Sequence, residues 1–383
     1  EYFEEGYDDN MGAQKEEEDD EQLDWEECED GSTVVLLPPA YVSQPTAVLH
    51  FCGGTFFGSA PRLWYGPLLE GLVRATQCTI VVTSIPVTLG SNPLQHVTLS
   101  RKLQRQFQMA YVDILKDEYG SNLDDIPVVA LGHSLGSRLL AVLATLAPPK
   151  NAPAPPYKSY ILMSFTNYGA SASIPGVQQL ANSRRQLNND DEQQEQRERE
   201  QQPKASRRRN SSRQTQREEQ RWDDDDDLFD EELDEMIDDL QVTVREQTSR
   251  VRDALTPLPE DLEFFPSPNQ LWDALNKENR YTIPQTLIVQ FDDDEIDQSA
   301  KLALNLSNST SDIKFTRLRG NHLSPVSVEA KDGSWMELPS KATKVLWKIM
   351  RGKSIKKQSM GESATMRDLR QSIARYITDV ATK

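Results

Sequence analysis

The sequence predicts an α/β fold, a mostly parallel sheet with helices on both faces, carrying an insertion at a lid position and a disordered acidic N-terminal tail. Three observations predict it. Short apolar, often β-branched runs alternate with segments whose apolar residues recur at helical spacing. The runs are continuous rather than alternating, as strands buried on both faces require. The polar residues are gathered into blocks. At 37% hydrophobic and 27% charged residues, the 383-residue chain is too polar to be one compact body of that length.

The elements follow in chain order. Residues 1–31 read as a solvated tail: residues 1–30 hold 16 acids against one base, Lys15. The chain opens on Glu1 rather than Met, so a processed form is expected, with any targeting peptide already removed. Order is expected from about Ser32. Val34 to Leu37 and Ala47 to Phe51 read as strands, the second running into Cys52-Gly53-Gly54. Residues 62–75 have helical spacing (Leu63, Leu68, Leu69, Leu72, Val73), and Thr79 to Val82 form a strand closed by Pro86. A long amphipathic helix is expected over 94–118, a strand over Pro127 to Leu131, a helix over 135–147 stopped by Pro148 and Pro149, and a strand over Tyr160 to Ser164.

The pattern then breaks. Across 182–221 only Leu187 and Ala205 are apolar, so 182–227 reads as a disordered charged insertion. Its Asp223 to Asp227 run lacks the spaced, pre-organised oxygens of a hard-cation site. Residues 228–252 regain helical periodicity, and 228–280 is expected to be a helical lid. The α/β pattern resumes at 281 with a strand over Thr286 to Phe291, a helix near 297–305, a last strand over Ile313 to Leu318 and a closing helix over about 366–381. Residues 32–181 and 281–383 are thus two parts of one domain.

Charge and cysteine usage exclude several classes. Of the formal net charge of −19, the first 30 residues hold −15, leaving only −4 elsewhere. No extended basic domain remains, so no nucleic-acid partner is expected. Cys28, Cys52 and Cys78 form no CxxC pair, which argues for a reducing compartment and against a disulfide framework or a zinc site. No run of about 18 apolar residues is present, so no transmembrane helix is expected.

One constellation carries chemistry. Gly132-His133-Ser134-Leu135-Gly136 fits GxSxG, follows an apolar strand and opens an apolar helix, the setting of a nucleophile elbow. The sharp turn would lift Ser134 Oγ into the crevice at the strands' carboxyl ends. A degenerate elbow on a non-catalytic scaffold is the alternative. Four histidines are available as a base. His133 should point away from the site, His50 on its strand reads as a core histidine, and His96 starts a helix without an acidic neighbour. His322, in Gly320-Asn321-His322-Leu323-Ser324-Pro325 just past the last strand, can reach back over the sheet edge. The orienting acid comes from Asp292-Asp293-Asp294-Glu295-Ile296: Asp294 fits best, Asp293 second and Asp292 third. The order Ser134, Asp294, His322 is that of the α/β-hydrolase fold. Cys52-Gly53-Gly54-Thr55-Phe56-Phe57-Gly58-Ser59 resembles the HGGGFxxGS loop of the hormone-sensitive-lipase group, with Cys52 for the histidine and Thr55 for the third glycine. Backbone N–H groups of Leu135, Gly54 and Thr55 are then the expected oxyanion donors.

Together with Ser164-Phe165-Thr166-Asn167-Tyr168 and Ser173-Ile174-Pro175, these segments resemble an uncharacterised α/β-hydrolase-like family of cyanobacteria and plastids, domain of unknown function thirteen-fifty. The resemblance spans roughly 45–180 and 255–330; it implies the fold and a plastid setting but no substrate. The block at 182–227 departs from it. The expected activity is that of a serine hydrolase on an ester or thioester, lipid-like substrates included, with no metal or organic cofactor. The rival is a binding or assembly protein on the same scaffold. Finally, 341–357 carries seven basic residues and no acid, with Lys341, Lys344, Lys348 and Arg351 on one helical face and Trp347 among the apolar residues. That pattern is either a last-layer helix or a peripheral contact with an anionic membrane surface or protein complex.

Overall fold

A computed structural model describes residues 23–55, 57–85, 94–148, 154–173, 263–309, 311–329, 335–337 and 362–382. The strands are β1 Trp25–Glu27, β2 Thr33–Leu36, β3 Val48–Cys52, β4 Thr79–Thr83, β5 Val128–His133, β6 Tyr157–Met163, β7 Gln285–Phe291 and β8 Asp312–Leu318. They form one eight-stranded sheet in the order β1-β2-β4-β3-β5-β6-β7-β8. β1 and β2 are antiparallel to their neighbours, and every other pair is parallel. A short antiparallel pair, β9 Ser327–Glu329 and β10 Trp335–Glu337, has no counterpart among the expected strands. The helices are α1 Pro61–Thr76, α2 His96–Ala110, α3 Lys116–Tyr119, α4 Leu135–Thr145, α5 Ala170–Ser173, α6 Pro268–Asn276, α7 Ser299–Leu306 and α8 Glu362–Ala381.

The continuous apolar runs have a simple physical reason. Side chains alternate across a strand, and both faces here are covered. Leu49 and Phe51, Val129 and Leu131, Ile161 and Met163 enter one core with α1 and α8. Val48 and Cys52, Val128 and Ala130, Tyr160 and Leu162 enter the other with α2, α4, α6 and α7. Chain order reverses around β3, which pairs with β4 on one side and β5 on the other. A crevice opens at such a switch point, above the carboxyl ends of the strands. The β3–β5 register sets Cys52 beside Gly132. The loop after β3 and the turn after β5 are therefore neighbours.

Three expectations need correction. Order does not wait for Ser32: β1 pairs with β2, Leu23 is buried, and Trp25 Nε1 donates to Glu70 at 3.1 Å under the Arg62 guanidinium. The acids around Trp25 lie on an exposed edge strand, where charge costs little. The helix expected over 94–118 widens into a π turn at Tyr111–Leu115, which keeps Phe107, Tyr111 and Leu115 all buried. The end of the expected lid is core: α6, capped by Ser267 and Gln270, buries Leu271 and Leu275 and sets Trp272 edge-on to Phe165. The charged block 182–227, the periodic segment 228–252 and the basic segment 341–357 lie outside the described residues. No helix among the described residues is long and apolar enough to cross a membrane.

Candidate active site

Ser134 sits between β5 and α4 at φ 54°, ψ −114°. A non-glycine residue held there stores on the order of 1–3 kcal/mol of strain. The surroundings enforce it. Ser134 N–H donates to Met163 O (3.0 Å), and the Ser137 hydroxyl faces the carbonyls of Gly132 (2.8 Å) and Met163 (2.9 Å). The two glycines are sterically required. A Cβ on Gly136 would overlap the Cys52 carbonyl, and one on Gly132 would lie 2.6 Å from Ser137 N. Ser134 is 7% exposed.

Ser134 Oγ lies 2.9 Å from His322 Nε2, and His322 Nδ1 lies 2.7 Å from Asp294 Oδ2. A carboxylate only accepts, so Nδ1 carries the proton and Nε2 accepts from the serine hydroxyl. The Asp294 carboxylate is fully buried. Burial pushes its pKa up. Attraction to the His322 ring when it is protonated, the hydrogen bond from Nδ1, the Ser164 hydroxyl and the N–H of Ile296 outweigh that and hold it below the usual aspartate value. Ser164 Oγ lies beside the carboxylate without the geometry of a full hydrogen bond, on a backbone with φ 46°. The other two aspartates brace the loop instead: Asp292 Oδ1 accepts from Gly320 N–H at 2.9 Å, and Asp293 N–H donates to Gly320 O at 2.9 Å.

The oxyanion side differs from expectation. Gly54 N–H donates to the Tyr65 hydroxyl at 2.9 Å and is not available to a substrate in this state. The N–H groups of Leu135, at the head of α4, and Thr55 bond no acceptor among the described residues. His133, expected to point away from the site, instead lies against the catalytic loop. Its Nδ1 is 2.8 Å from Tyr65 Oη, its Nε2 2.9 Å from the His322 carbonyl, and its ring 5.1 Å from that of His322. Burial, reinforced by repulsion from the His322 ring whenever that ring is protonated, lowers its pKa to about 3. His50 is a satisfied core histidine, bonded to Tyr157 Oη (2.8 Å) and Thr83 Oγ1 (2.9 Å). His96 is buried against Phe264.

Sequence reasoning missed the supports. Arg138, one turn beyond Ser134 on α4, is 2% exposed. It donates to Tyr168 O (2.9 Å) and Pro266 O (2.8 Å) and lies over the Phe264 ring. A lone charged residue in an otherwise uncharged helix was the available signal. Asp297 accepts from Ser299 N–H at 2.6 Å, while its other oxygen is buried without a partner among the described residues. Burial, with Asp294 nearby, raises its pKa to about 6 against the hydrogen bonds from Ser299. Tyr65 gave no signal, because an aromatic residue at helical spacing reads as core.

A mostly parallel eight-stranded sheet in this order, with a serine on the strand–helix turn after β5, defines the α/β-hydrolase fold. Within that class the chain belongs to the family described as Protein of unknown function (DUF1350), which it matches over residues 24–219 and 228–345. A comparison with curated protein sequences finds no match. Solved structures it resembles include carboxyl esterase 2 of the mycorrhizal fungus Tuber melanosporum (12% identity over 93% of this chain and 86% of that one, TM-score 0.43). Others are an esterase of Pyrobaculum calidifontis (13%, 94% and 85%, 0.44) and the thioesterase domain from the curacin biosynthetic pathway (14%, 80% and 95%, 0.37).

Proposed function

We propose that the protein is a serine hydrolase acting on an ester or thioester, lipid-like substrates included, in the plastid setting its family resemblance implies. The observation that carries this reading is the unbroken Ser134–His322–Asp294 chain, with links of 2.9 and 2.7 Å. Ser134 Oγ attacks the acyl carbonyl while His322 Nε2 takes its proton. Asp294 holds Nδ1–H and stabilises the imidazolium. The N–H groups of Leu135 and Thr55 receive the developing oxyanion. His322 then returns the proton to the leaving alcohol or thiol. A water, deprotonated by the same imidazole, releases the acid from the acyl-serine.

The test is labelling with a fluorophosphonate probe, together with turnover of p-nitrophenyl esters by wild type and Ser134→Ala. Labelling at Ser134 is expected. Loss of Ser134 should lower turnover by on the order of 10³-fold or more. Equal turnover in the two proteins, with no label, would leave the non-catalytic scaffold as the better reading.

A further inference from the structure

The mechanism leaves a buried polar chain unused. It runs from Gly54 N–H to Tyr65 Oη (2.9 Å), from Tyr65 Oη to His133 Nδ1 (2.8 Å) and from His133 Nε2 to the His322 carbonyl (2.9 Å). Its directions follow from the ends. A carbonyl only accepts, so His133 Nε2 carries the proton of a neutral ring and Nδ1 accepts from the Tyr65 hydroxyl. That leaves the Tyr65 oxygen to accept from Gly54. Every group is satisfied and buried, the condition under which a polar network is rigid rather than costly.

The three segments it joins each carry part of the site. Gly54 precedes Thr55 on the loop after β3, His133 precedes Ser134, and His322 is the base itself. Besides its ties to Asp292, Asp293 and Asp294, the loop of His322 is braced internally, through Asn321 N–H to Ser324 Oγ (2.8 Å) and Leu323 N–H to Asn321 Oδ1 (2.8 Å). Internal bonds of this kind set its shape but not its distance from Ser134. The His133 bond ties its backbone directly to the elbow. The glycine loop rests on the same chain, since a Cβ on Gly54 would lie 3.3 Å from both Tyr65 Oη and His133 Nδ1 and 3.5 Å from Ser134 Cβ.

We propose that Tyr65 and His133 are positioning residues that hold the oxyanion loop, the serine turn and the His322 loop in register through this single run of hydrogen bonds. The proposal rests on the serine-hydrolase reading. Tyr65→Phe removes the link to Gly54 and the donor to His133. His133→Leu removes both of the histidine's links, and His133→Gln keeps a donor for the His322 carbonyl.

The experiment measures kcat and KM for p-nitrophenyl butyrate, the rate of fluorophosphonate labelling and thermal melting, all on the full chain. Tyr65→Phe and His133→Leu are expected to lower kcat and the labelling rate about 10- to 100-fold, the scale of a misplacement near 1 Å, with KM within about twofold. His133→Gln is expected to recover much of the loss. The double variant Tyr65→Phe/His133→Leu should be no slower than the slower single, because both cut one chain. Labelling of Tyr65→Phe at or above the wild-type rate would overturn the proposal, since the freed Gly54 N–H would then be harmless or a useful extra donor. Losses that multiply in the double variant, or that follow only the melting temperature, would overturn it too. A wild type that neither labels nor turns over ester overturns the hydrolase reading and this proposal together; a labelled wild type with unaffected variants overturns the proposal alone.

Discussion

Asp294 shows how one side chain among similar neighbours is selected. Three consecutive aspartates follow β7, and the turn aims them differently, so Asp294 reaches His322 while Asp292 closes onto Gly320 N–H. Asp294→Asn is expected to cost about 10³–10⁴-fold in kcat by favouring the wrong imidazole tautomer. Asp292→Asn keeps an acceptor for Gly320 and should stay within about threefold of wild type; ester turnover at saturating substrate checks both. Asp297 gives a pH signature. Its pKa is raised in the folded state, to about 6, so the folded protein binds its proton more tightly than the unfolded chain does. Stability should therefore fall as pH rises from about 4 to 6 and stay lower above. Asp297→Asn, which keeps an acceptor for Ser299 N–H, should raise the melting temperature by roughly 2–4 °C at pH 7–8. It should leave it nearly unchanged at pH 4, and scanning calorimetry at the two pH values checks this.

Helix α4 carries the nucleophile at its head and, one turn later, Arg138. That guanidinium joins Tyr168 O and Pro266 O, in segments far apart in sequence, and Glu263 binds the N–H groups of Ala170 and Phe264 beside it. Burial lowers the arginine's pKa to about 10, with Glu263 opposing, so it stays charged at neutral pH. Arg138→Met fills much of the volume but leaves two carbonyls without donors. A loss of about 2–4 kcal/mol is expected, measured by urea unfolding, with a comparable urea m-value. At this scale the sequence was informative: the apolar periodicity of 135–147 marks α4 within two residues of its observed span. The arginine's partners were not legible, because they come from segments whose approach no local pattern encodes.

The molecule as a whole depends on α8, the last described element. It covers one face of the sheet with Leu369, Ile373, Ile377 and Val380, all fully buried, and Tyr376 Oη bonds Ser159 Oγ of β6 at 2.7 Å. Each such side chain contributes about 1.5–3 kcal/mol of burial. Four of them rival the whole stability of a typical domain, about 5–15 kcal/mol. Removing 362–383 is expected to abolish cooperative thermal unfolding and drive the protein into the insoluble fraction; a soluble truncation with a wild-type melting curve would contradict it.

The sequence by itself determined the α/β class, the central strands and the identities of Ser134, Asp294 and His322 as a candidate set. Strand burial, the elbow glycines and chain order are local or ordinal properties that a one-dimensional pattern carries. It misread the edge strand at Trp25, because acids on an exposed edge look the same as acids in a tail. It misread α6 as lid, because a helix that buries its apolar face in the core has the same periodicity as one that covers a crevice. Only the tertiary structure decided that Gly54 N–H is engaged by Tyr65, that His133 reaches the His322 carbonyl, and that Arg138 joins Tyr168 to Pro266. Those links join residues 11 to 189 positions apart. A hydrogen bond selects its partner by distance and angle in space, and the folding of the whole sheet sets both.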